Sequence, residues 1–474
     1  MLSRTYIEKI LDYVISHGAD YAEVFYEDVS RTRFKLMDEQ VASCVCGRES
    51  GIGIRMFWGL ASEYLYSADA DEGRLFRLLK ERLQECGGQS RQAWGQKERG
   101  IPGGRTPLAE VRPLEIMAPL SGAGSLALGR KIGLIKSGIA AGRGAADGIV
   151  QGSAFYTDED QRVQIANTEG VYAEDRRMRT RVRFTMTARD ERDENRQTGF
   201  AGPGAMSGPE FLESDVPAEG AKKAARAAKS MLGAKTCPVG RMPVIIANGF
   251  GGLFFHEACG HSLEGSAVAD GCSEFAGKLG TKIASDKVTL VDDGTVAGEW
   301  GSLGIDDEGV PTRKNILIEK GILKGYLLDR ITAKKMGMSP TGSGRRENYR
   351  FAPTSRMTNT YIAPGEDDLE EMIGSVDKGL YVKDINAGSV DPATGEFNFN
   401  TGETYLIERG EITVPVKSAT LIGTGREILP RVDMVSGNFA LEQGYCYAGS
   451  GQIPIGAGQP AVRITEMTVG GKEI

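Results

Sequence analysis

Two of the three histidines in this chain stand five residues apart, and a glutamate directly follows the first of them. They are His256 and His261, with Glu257, in the run Gly-Phe-Gly-Gly-Leu-Phe-Phe-His-Glu-Ala-Cys-Gly-His-Ser-Leu-Glu-Gly. Imidazole nitrogens are good ligands for zinc-type ions, and a carboxylate beside them can accept a proton from water. Because histidine is scarce elsewhere in the chain, the pattern favours a metal site over two ordinary histidines on a half-buried helix.

The spacing of the two histidines constrains the backbone between them. On a regular α-helix, five residues advance by about 500°, which leaves the two imidazoles roughly 140° apart around the axis. Side chains so placed could not share one tetrahedral ion. A single π-helical turn absorbs one extra residue, and Gly260 is permissive enough to accept that distortion. We therefore predict a bulged or broken helical turn between His256 and His261, preceded by a glycine-rich hinge.

A third metal ligand must come from another side chain. Cys259 lies within the motif, but a small buried side chain explains it equally well. Cys446 lies in the segment Gly444–Gln452, whose small residues would let the backbone approach an ion closely. The residues alone leave the choice open among Cys259, Glu264, Cys272 and Cys446.

Several further motifs follow the histidine run. They include Val-Asp-Asp-Gly-Thr at 291–295, Gly-Ile-Asp-Asp-Glu-Gly at 304–309, Met-Gly-Met-Ser-Pro-Thr-Gly at 336–342 and Gly-Ala-Gly-Gln-Pro at 456–460. With the histidine run, they resemble the TldD half of the TldD/PmbA (TldE) metallopeptidase family. The resemblance is strong from residue 235 to the C-terminus and weaker before it.

This resemblance implies a set of roles. In the family, two histidines and a cysteine of the C-terminal glycine-rich segment hold Zn²⁺, and the matching residues here are His256, His261 and Cys446. PmbA-like subunits lack the His-Glu-x-x-x-His run, so the chain is similar to the catalytic type, with Glu257 as the expected general base. The implied substrates are peptides or unfolded protein segments. The implied particle is a dimer, either a homodimer or a heterodimer with a PmbA/TldE-like subunit.

A binding protein is the main alternative to a zinc metallopeptidase. The family's older naming suggests a regulator of DNA gyrase, in which the metal would be structural. A fourth protein ligand, such as Cys259 or Cys272, would then close the site. A metal hydrolase acting on a non-peptide amide or ester is a third possibility.

Charge and cysteine content narrow the class of protein. The formal net charge of −7 and the pI near 5.4 argue against a protein built mainly to bind nucleic acid. The seven cysteines show no pairing pattern, which is typical of a reduced, cytoplasmic protein. No stretch approaches eighteen uninterrupted apolar residues, so we expect no membrane span.

Hydrophobic periodicity and turn signals predict an α+β fold in three parts. We expect an N-terminal mixed α/β domain at 1–95, then a polar, glycine-rich linker. A central helix-plus-strand domain is predicted at 114–232. The C-terminal domain, at 235–474, is predicted to be a mainly antiparallel, curved or barrel-like β structure that carries the metal-binding helix.

Two charged segments each allow two interpretations. Arg179, Arg181 and Arg183 alternate along a predicted strand and make one of its faces basic. We interpret this face as solvated rather than as a nucleic-acid surface, because acidic residues follow at 190–194. The carboxylates at 292–293 and 306–308 are predicted to cap turns rather than to bind calcium.

Two further segments are candidates for a role in catalysis or in substrate binding. Arg345, Arg346 and Tyr349 could stabilise an oxyanion, although surface ion pairs explain them equally well. Residues Arg356–Tyr361 are predicted to form an exposed sheet edge to which an extended substrate could add as a strand.

Overall fold

The computed structural model describes residues 1–93, 105–116, 126–190 and 195–470. Part of the predicted linker between 95 and 114 lies outside the described residues, as do Glu191, Asp193 and Glu194. Within the described residues, helices and strands both contribute extensively, which confirms the predicted α+β class. No helix in the described part is long and apolar enough to cross a membrane.

One large sheet contains the strands of the first half of the chain. Its order is β3-β2-β1-β5-β6-β4, and β7 and β8 both pair with β6. The antiparallel pairing of β1 with β5 joins the predicted N-terminal and central domains within this one sheet. The strands are β1 (Tyr21–Met37), β2 (Gln40–Trp58), β3 (Ala61–Ser67), β4 (Ala109–Glu110), β5 (Ile149–Asn167), β6 (Val171–Arg189), β7 (Arg196–Ala201) and β8 (Gly204–Ala205).

Four longer helices accompany this sheet. The first begins at a serine cap, because the side chain of Ser3 accepts a hydrogen bond from the backbone of Tyr6. Its apolar side chains recur every three or four residues and are buried, as the periodicity predicts. The fourth buries alanines against the sheet, which allows close packing. The helices are α1 (Arg4–Ser16), α2 (Glu72–Ala93), α3 (Leu128–Arg143) and α4 (Val216–Ser230).

Two large sheets and one two-stranded sheet lie in the second half of the described chain. The largest has the order β17-β18-β21-β25-β9-β16-β19-β20, with β22 on β25, the next has the order β12-β11-β10-β15-β24-β23, and β13 pairs with β14. The strands are β9 (Gly240–Ile246), β10 (Leu290–Asp293), β11 (Lys314–Glu319), β12 (Ile322–Leu323), β13 (Gly344–Arg345), β14 (Thr354–Ser355), β15 (Asn359–Ile362), β16 (Lys378–Val382), β17 (Ile385–Val390), β18 (Glu396–Thr401), β19 (Thr404–Glu408), β20 (Glu411–Val416), β21 (Thr420–Thr424), β22 (Val432–Val435), β23 (Ala440–Ala448), β24 (Gly451–Gln459) and β25 (Val462–Gly470).

The C-terminal half is a curled half-barrel, as predicted. Most strand pairs are antiparallel, while β9 with β16 and β15 with β24 are parallel. Short helices connect the strands. They are α5 (Leu253–Phe255), α6 (Gly265–Val268), α7 (Arg330–Met336), α8 (Leu369–Gly374) and α9 (Gly425–Ile428).

The histidine run belongs to the core of this half. Phe254 lies in one apolar cluster with side chains from both C-terminal sheets. Its ring centroid is 5.1 Å from that of Phe397 and 4.9 Å from that of Phe399. These aromatic contacts anchor the segment that precedes His256.

Buried ion pairs join the first sheet to the C-terminal half. Arg346 lies 2.6 Å from Glu23, Arg55 lies 2.6 Å from Glu308, and Arg177 lies 2.6 Å from Asp307. Removing one partner of such a pair leaves the other charge buried and unpaired, which is costly. These pairs therefore fix the position of the first sheet relative to the site.

The carboxylates of both acidic runs accept hydrogen bonds from backbone N–H groups, as their predicted capping role requires. Asp306 accepts hydrogen bonds of 2.9 Å from the backbone N–H groups of Glu308, Val310 and Gly344. Asp292 likewise accepts one of 2.7 Å from Thr358. Asp293 accepts one of 2.9 Å from the backbone N–H of Thr295. The carboxylates at 307 and 308 accept one of 2.8 Å each from the backbone N–H groups of residues 346 and 330, and they also pair with arginine side chains.

Candidate metal centre

The segment that carries the histidines changes its helical pitch three times. It begins as a 3₁₀ turn at Phe250–Gly252, continues as α5, becomes a π-helical turn at His256–Gly260 and ends as a 3₁₀ turn at His261–Leu263. The N–H of His261 donates to the carbonyl oxygen of His256, five residues back. This is the π-type bond that the spacing predicts, and the predicted bulge is confirmed.

The π-helical turn brings both imidazoles to one side. Their ring centroids lie 5.0 Å apart with the ring planes at 89°. One ligand atom from each of His256, His261 and Cys446 lies within 4.8 Å of the other two. Two nitrogens and one sulfur are the donor types of known zinc sites.

Cys446 reaches the histidines from strand β23. Successive side chains of a strand point to opposite faces. The side chain of Cys446 is accordingly buried, while its neighbours Tyr445 and Tyr447 are 38% and 72% exposed. Pairing with β24 places Cys446 opposite Ile453 and beside a small apolar cluster that includes Phe250.

His256 is a buried imidazole with no internal partner. Its side chain is 0% exposed, and neither ring nitrogen has a hydrogen-bond partner among the described residues. Burial, His261 and nearby arginines hold the pKa of His256 well below its usual value. A buried polar atom without a partner is costly, and a neutral imidazole is the form that binds a metal. The site therefore fits a metal ion.

A carboxylate contacts the ring nitrogen of His261 that lies away from Cys446. Its Nδ1 lies 2.9 Å from a carboxylate oxygen of Glu264, while its Nε2 lies 3.2 Å from Sγ of Cys446. Although burial opposes the charged form, Glu264 and Cys446 raise the pKa of His261 well above its usual value. A carboxylate behind an imidazole orients the other ring nitrogen toward a metal.

Two of the other candidate ligands lie apart from this group. The thiol of Cys259 donates to the carbonyl oxygen of Phe255 at 3.1 Å, and Cys272 is exposed. Glu264 contacts His261 rather than joining the cluster itself. Sequence reasoning named Glu264 only as a ligand and missed its role as the orienting carboxylate, although its three-residue spacing from His261 was visible.

Glu257 lies beside the cluster and faces the same open space. One of its carboxylate oxygens lies 3.7 Å from Nε2 of His261, and its side chain keeps 15% of its surface exposed. Burial raises the pKa of Glu257 above its usual value.

A cleft of about 1040 Å³ gives access to the cluster, and Glu257, His261 and Cys446 line it. Two terminal strands of the C-terminal sheets border it. They are β17, through residues Ile385–Val390, and β23, through residues 442–448. Within the described part of the chain, each of these strands has one free edge.

Two sequence expectations about this region are wrong. The edge predicted at Arg356–Tyr361 is interior, because β15 pairs with β10 on one side and with β24 on the other. The candidate oxyanion residues at 345, 346 and 349 are buried, and none of them lines the cleft. Arg345, for example, donates to the carbonyl oxygens of Met357 and Pro454.

Gly252 sets the position of the segment that carries the histidines. A Cβ atom at this residue would lie 2.4 Å from the backbone of Gly458 on β24. We predict that Gly252→Ala lowers the free energy of unfolding by about 3 kcal/mol, because backbone cannot give way as a side chain does. Gly133 on α3 is the control, since nothing lies within 4 Å of its Cβ position.

Chemical denaturation measures both variants. Gly133→Ala should raise the free energy of unfolding by about 0.5–1 kcal/mol, as alanine does in an open helix interior. A Gly252→Ala protein as stable as the parent would contradict this packing.

Comparisons with known proteins agree with this architecture. The model of the PmbA/TldA metallopeptidase C-terminal domain matches residues 239–471, and that of the PmbA/TldA metallopeptidase central domain matches residues 123–232. The chain is 36% identical to a metalloprotease TldD homologue of Haemophilus influenzae, over 99% of this chain and 97% of that one. A TldD homologue of Buchnera aphidicola is 32% identical over 97% and 95%.

Solved structures show the same fold. A protein of Thermotoga maritima, named as a proposed modulator of a DNA gyrase, matches with a TM-score of 0.77 at 20% identity, over 98% of this chain and 99% of that one. TldE of Thermococcus kodakarensis matches with a TM-score of 0.74 at 19% identity, over 98% and 100%. The sequence matches and the shared fold together establish that the chain belongs to the TldD/PmbA family of metallopeptidases.

Proposed function

We propose that this protein is a zinc-dependent metallopeptidase that cleaves peptides or unfolded protein segments. The observation that carries the proposal is the convergence of His256, His261 and Cys446 within 4.8 Å, beside Glu257 and at the wall of an open cleft. In this proposal the first three residues hold Zn²⁺, and Glu257 is the general base.

The chain's own residues supply the proton transfer. Zn²⁺ bound at this centre would supply Lewis acidity toward the peptide carbonyl and toward the attacking water. Glu257 accepts a proton from that water and then delivers it to the leaving amine, which needs a carboxylate that faces the cleft. Glu264 keeps His261 in the required orientation through the contact at Nδ1.

The form of the cleft supports an extended peptide as substrate. The free edges of β17 and β23 present unpaired backbone groups at its border. A peptide that adds to such an edge is held by main-chain hydrogen bonds, which discriminate little between sequences. Unfolded segments can adopt this extended form, whereas folded domains cannot enter it.

The assembly and the compartment are also proposals. We propose a dimer, either a homodimer or a heterodimer with a PmbA/TldE-like subunit, supported by the match to the TldE fold over nearly the whole chain. We place the protein in the cytoplasm because its described cysteines are free, including the thiol that this centre requires.

A regulatory binding protein with a structural metal is the alternative. Such a site would need a fourth protein ligand, yet Cys259 and Cys272 stand outside the cluster in the described part of the chain. Because two of the proposed ligands, His261 and Cys446, line the cleft together with Glu257, the arrangement favours catalysis.

Metal removal tests the proposed function. The protein, alone and mixed with a PmbA/TldE-like subunit, is incubated with a library of unstructured peptides before and after chelation. We expect cleavage that chelation abolishes and that one equivalent of Zn²⁺ restores. Cleavage that survives complete removal of the metal would contradict the proposal, as would its absence in both zinc-loaded preparations.

A further inference from the structure

A group of cations lies on the face of the first sheet that meets the cleft. In the register of β1, β5 and β6, Arg33 is opposite Thr157, and Lys35 is opposite Phe155. Phe155 in turn is opposite Arg183. Residues directly opposite each other in neighbouring strands project from the same face. We call Arg33, Lys35 and Arg183, with Phe155 and Thr157 between them, the cationic face.

The three cations of this face are exposed and lack ion-pair partners. No carboxylate of the described residues forms an ion pair with any of them, whereas Arg31 in the same strand lies 2.8 Å from Glu159. Glu159 also lies near Arg33, but its carboxylate forms its ion pair with Arg31. These three cations therefore keep their positive charge. Of the face predicted to be solvated, Arg179, Arg181 and Arg183, only Arg183 is exposed.

The other basic residues of the same alternating run have structural partners. Arg179 is buried and donates to the carbonyl oxygens of Trp300 and Ser302. Arg181 donates to those of Gly202 and Gln443. These two arginines therefore join the sheet to its surroundings, and Arg183 alone of the three stays available.

The cationic face continues the wall of the cleft. Phe155, Thr157 and Arg183 line the cleft, and so does Phe200, over whose ring the Arg183 guanidinium lies at 4.9 Å. Phe155 and Phe200 are 48% and 36% exposed, which gives this wall apolar area between the charges.

The part of the cleft near the metal centre has the opposite charge. Glu257 and Glu264 line it beside the histidines. Asp384 and Glu442 also line the cleft, although Glu442 forms an ion pair of 2.6 Å with Lys223. The cleft thus has carboxylates beside the centre and unpaired cations on the opposing sheet. A ligand that fills it meets both signs of charge along its length.

We propose that the cationic face binds an acidic segment of the extended peptide substrate, at a distance from the bond that is cut. This inference rests on the proposed peptidase function and adds a preference to it. Aspartate or glutamate side chains would pair with Arg33, Lys35 and Arg183, while Phe155 and Phe200 contact apolar parts of the peptide.

The spacing of the cations specifies the peptide. Arg33 and Lys35 stand two residues apart on β1 and project from the same face, about 7 Å apart. Carboxylates two residues apart in an extended chain likewise share a face and are separated by about the same distance. An Asp-x-Asp pattern therefore matches this face.

A peptide suits this charge pattern better than a nucleic acid does. Every nucleotide of a nucleic acid carries a negative phosphate, and phosphates near the centre would face Glu257 and Glu264. A peptide can place acidic residues on the cationic face and uncharged residues beside the centre.

Binding measured without cleavage tests this inference. Zinc-loaded protein with Glu257→Gln is titrated into fluorescent peptides of twelve residues, one with an Asp-x-Asp segment and one with Ser in place of Asp. We expect the acidic peptide to bind about tenfold more tightly at low salt, the order expected for several exposed ion pairs. High salt should reduce that ratio.

Charge reversal on the face is compared with a matched control. The test variant adds Arg33→Glu, Lys35→Glu and Arg183→Glu, and the control adds Lys314→Glu, Lys378→Glu and Lys417→Glu. The control lysines are exposed and lie outside the cleft, so net charge changes equally. We expect the ratio of affinities to fall to one or below in the test variant and to persist in the control.

Three results would overturn the inference. They are a ratio near one in the parent, a ratio unchanged by the test variant, and a single-stranded oligonucleotide that binds more tightly than the acidic peptide. If the wild-type protein then cuts the Ser peptide in a chelator-sensitive way, only the cationic face is wrong. If it cuts neither peptide, the peptidase function itself fails.

Discussion

The substitution Glu257→Gln is expected to lower the rate of peptide cleavage by about 10³-fold while the metal content stays unchanged. Glutamine keeps the shape of the side chain but cannot accept a proton, and general acid–base catalysis contributes about 10²–10⁴-fold. Glu257 is not one of the three clustered side chains, so its loss leaves the donor set complete. Steady-state kinetics and elemental analysis of the same preparation measure the two quantities.

Glu264→Gln is the matched control for this prediction. It makes the same chemical change in the same segment, but Glu264 acts on the orientation of His261 rather than on the substrate. We expect metal affinity to fall by about 10–100-fold, as it does when an orienting partner is lost. A fully active Glu257→Gln protein, or one that loses its metal, would show that Glu257 is not the base.

The substitution Cys446→Ser is expected to lower the affinity for Zn²⁺ by more than about 100-fold, beyond the loss caused by an orienting residue alone. A serine hydroxyl stays protonated near neutral pH, whereas a cysteine thiol deprotonates readily beside a metal. Two imidazoles would then hold the ion without a charged ligand. Competition with a chromogenic chelator measures the affinity, and cleavage should fall in parallel.

Cys272→Ser is the control for the thiol, because Cys272 was also a candidate ligand and is exposed. It should retain the wild-type affinity for Zn²⁺. Equal affinities in the parent and the Cys446→Ser protein would remove Cys446 from the ligand set.

The local geometry of the centre could be predicted from the sequence. The five-residue spacing, together with Gly260, required an irregular turn between His256 and His261, and the structure has a π-helical turn there. The capping role of Asp306 was also predictable, because acidic residues in short turns accept backbone hydrogen bonds. Both predictions depend on residues that are close in the chain.

The ligand that comes from a distant part of the chain had no local signal in the sequence. Cys446 lies 185 residues from His261 and reaches it because β23 pairs with β24, which pairs with β15 in parallel. The residues left four candidate ligands, and only the family resemblance favoured Cys446.

The same dependence on distant strand pairing explains why the edge predicted at Arg356–Tyr361 is wrong. Residues Asn359–Ile362 contain no local signal that tells an interior strand from an edge strand, and a distant segment, β24, pairs with them. Likewise, Arg183 and Arg181 look alike in sequence, and only the contacts of Arg181 with the distant carbonyl oxygens of Gly202 and Gln443 distinguish them. Parallel pairing between distant segments leaves no local pattern that sequence reasoning can detect.

X-ray absorption at the zinc edge, on protein loaded with one equivalent of Zn²⁺, tests the central claim most directly. We expect two nitrogen ligands at about 2.0–2.1 Å, one sulfur at about 2.3 Å and one light atom from solvent. The sulfur contribution should disappear in the Cys446→Ser protein. Two sulfur ligands, or three nitrogens with no sulfur, would contradict a centre built from His256, His261 and Cys446 that is open to the cleft.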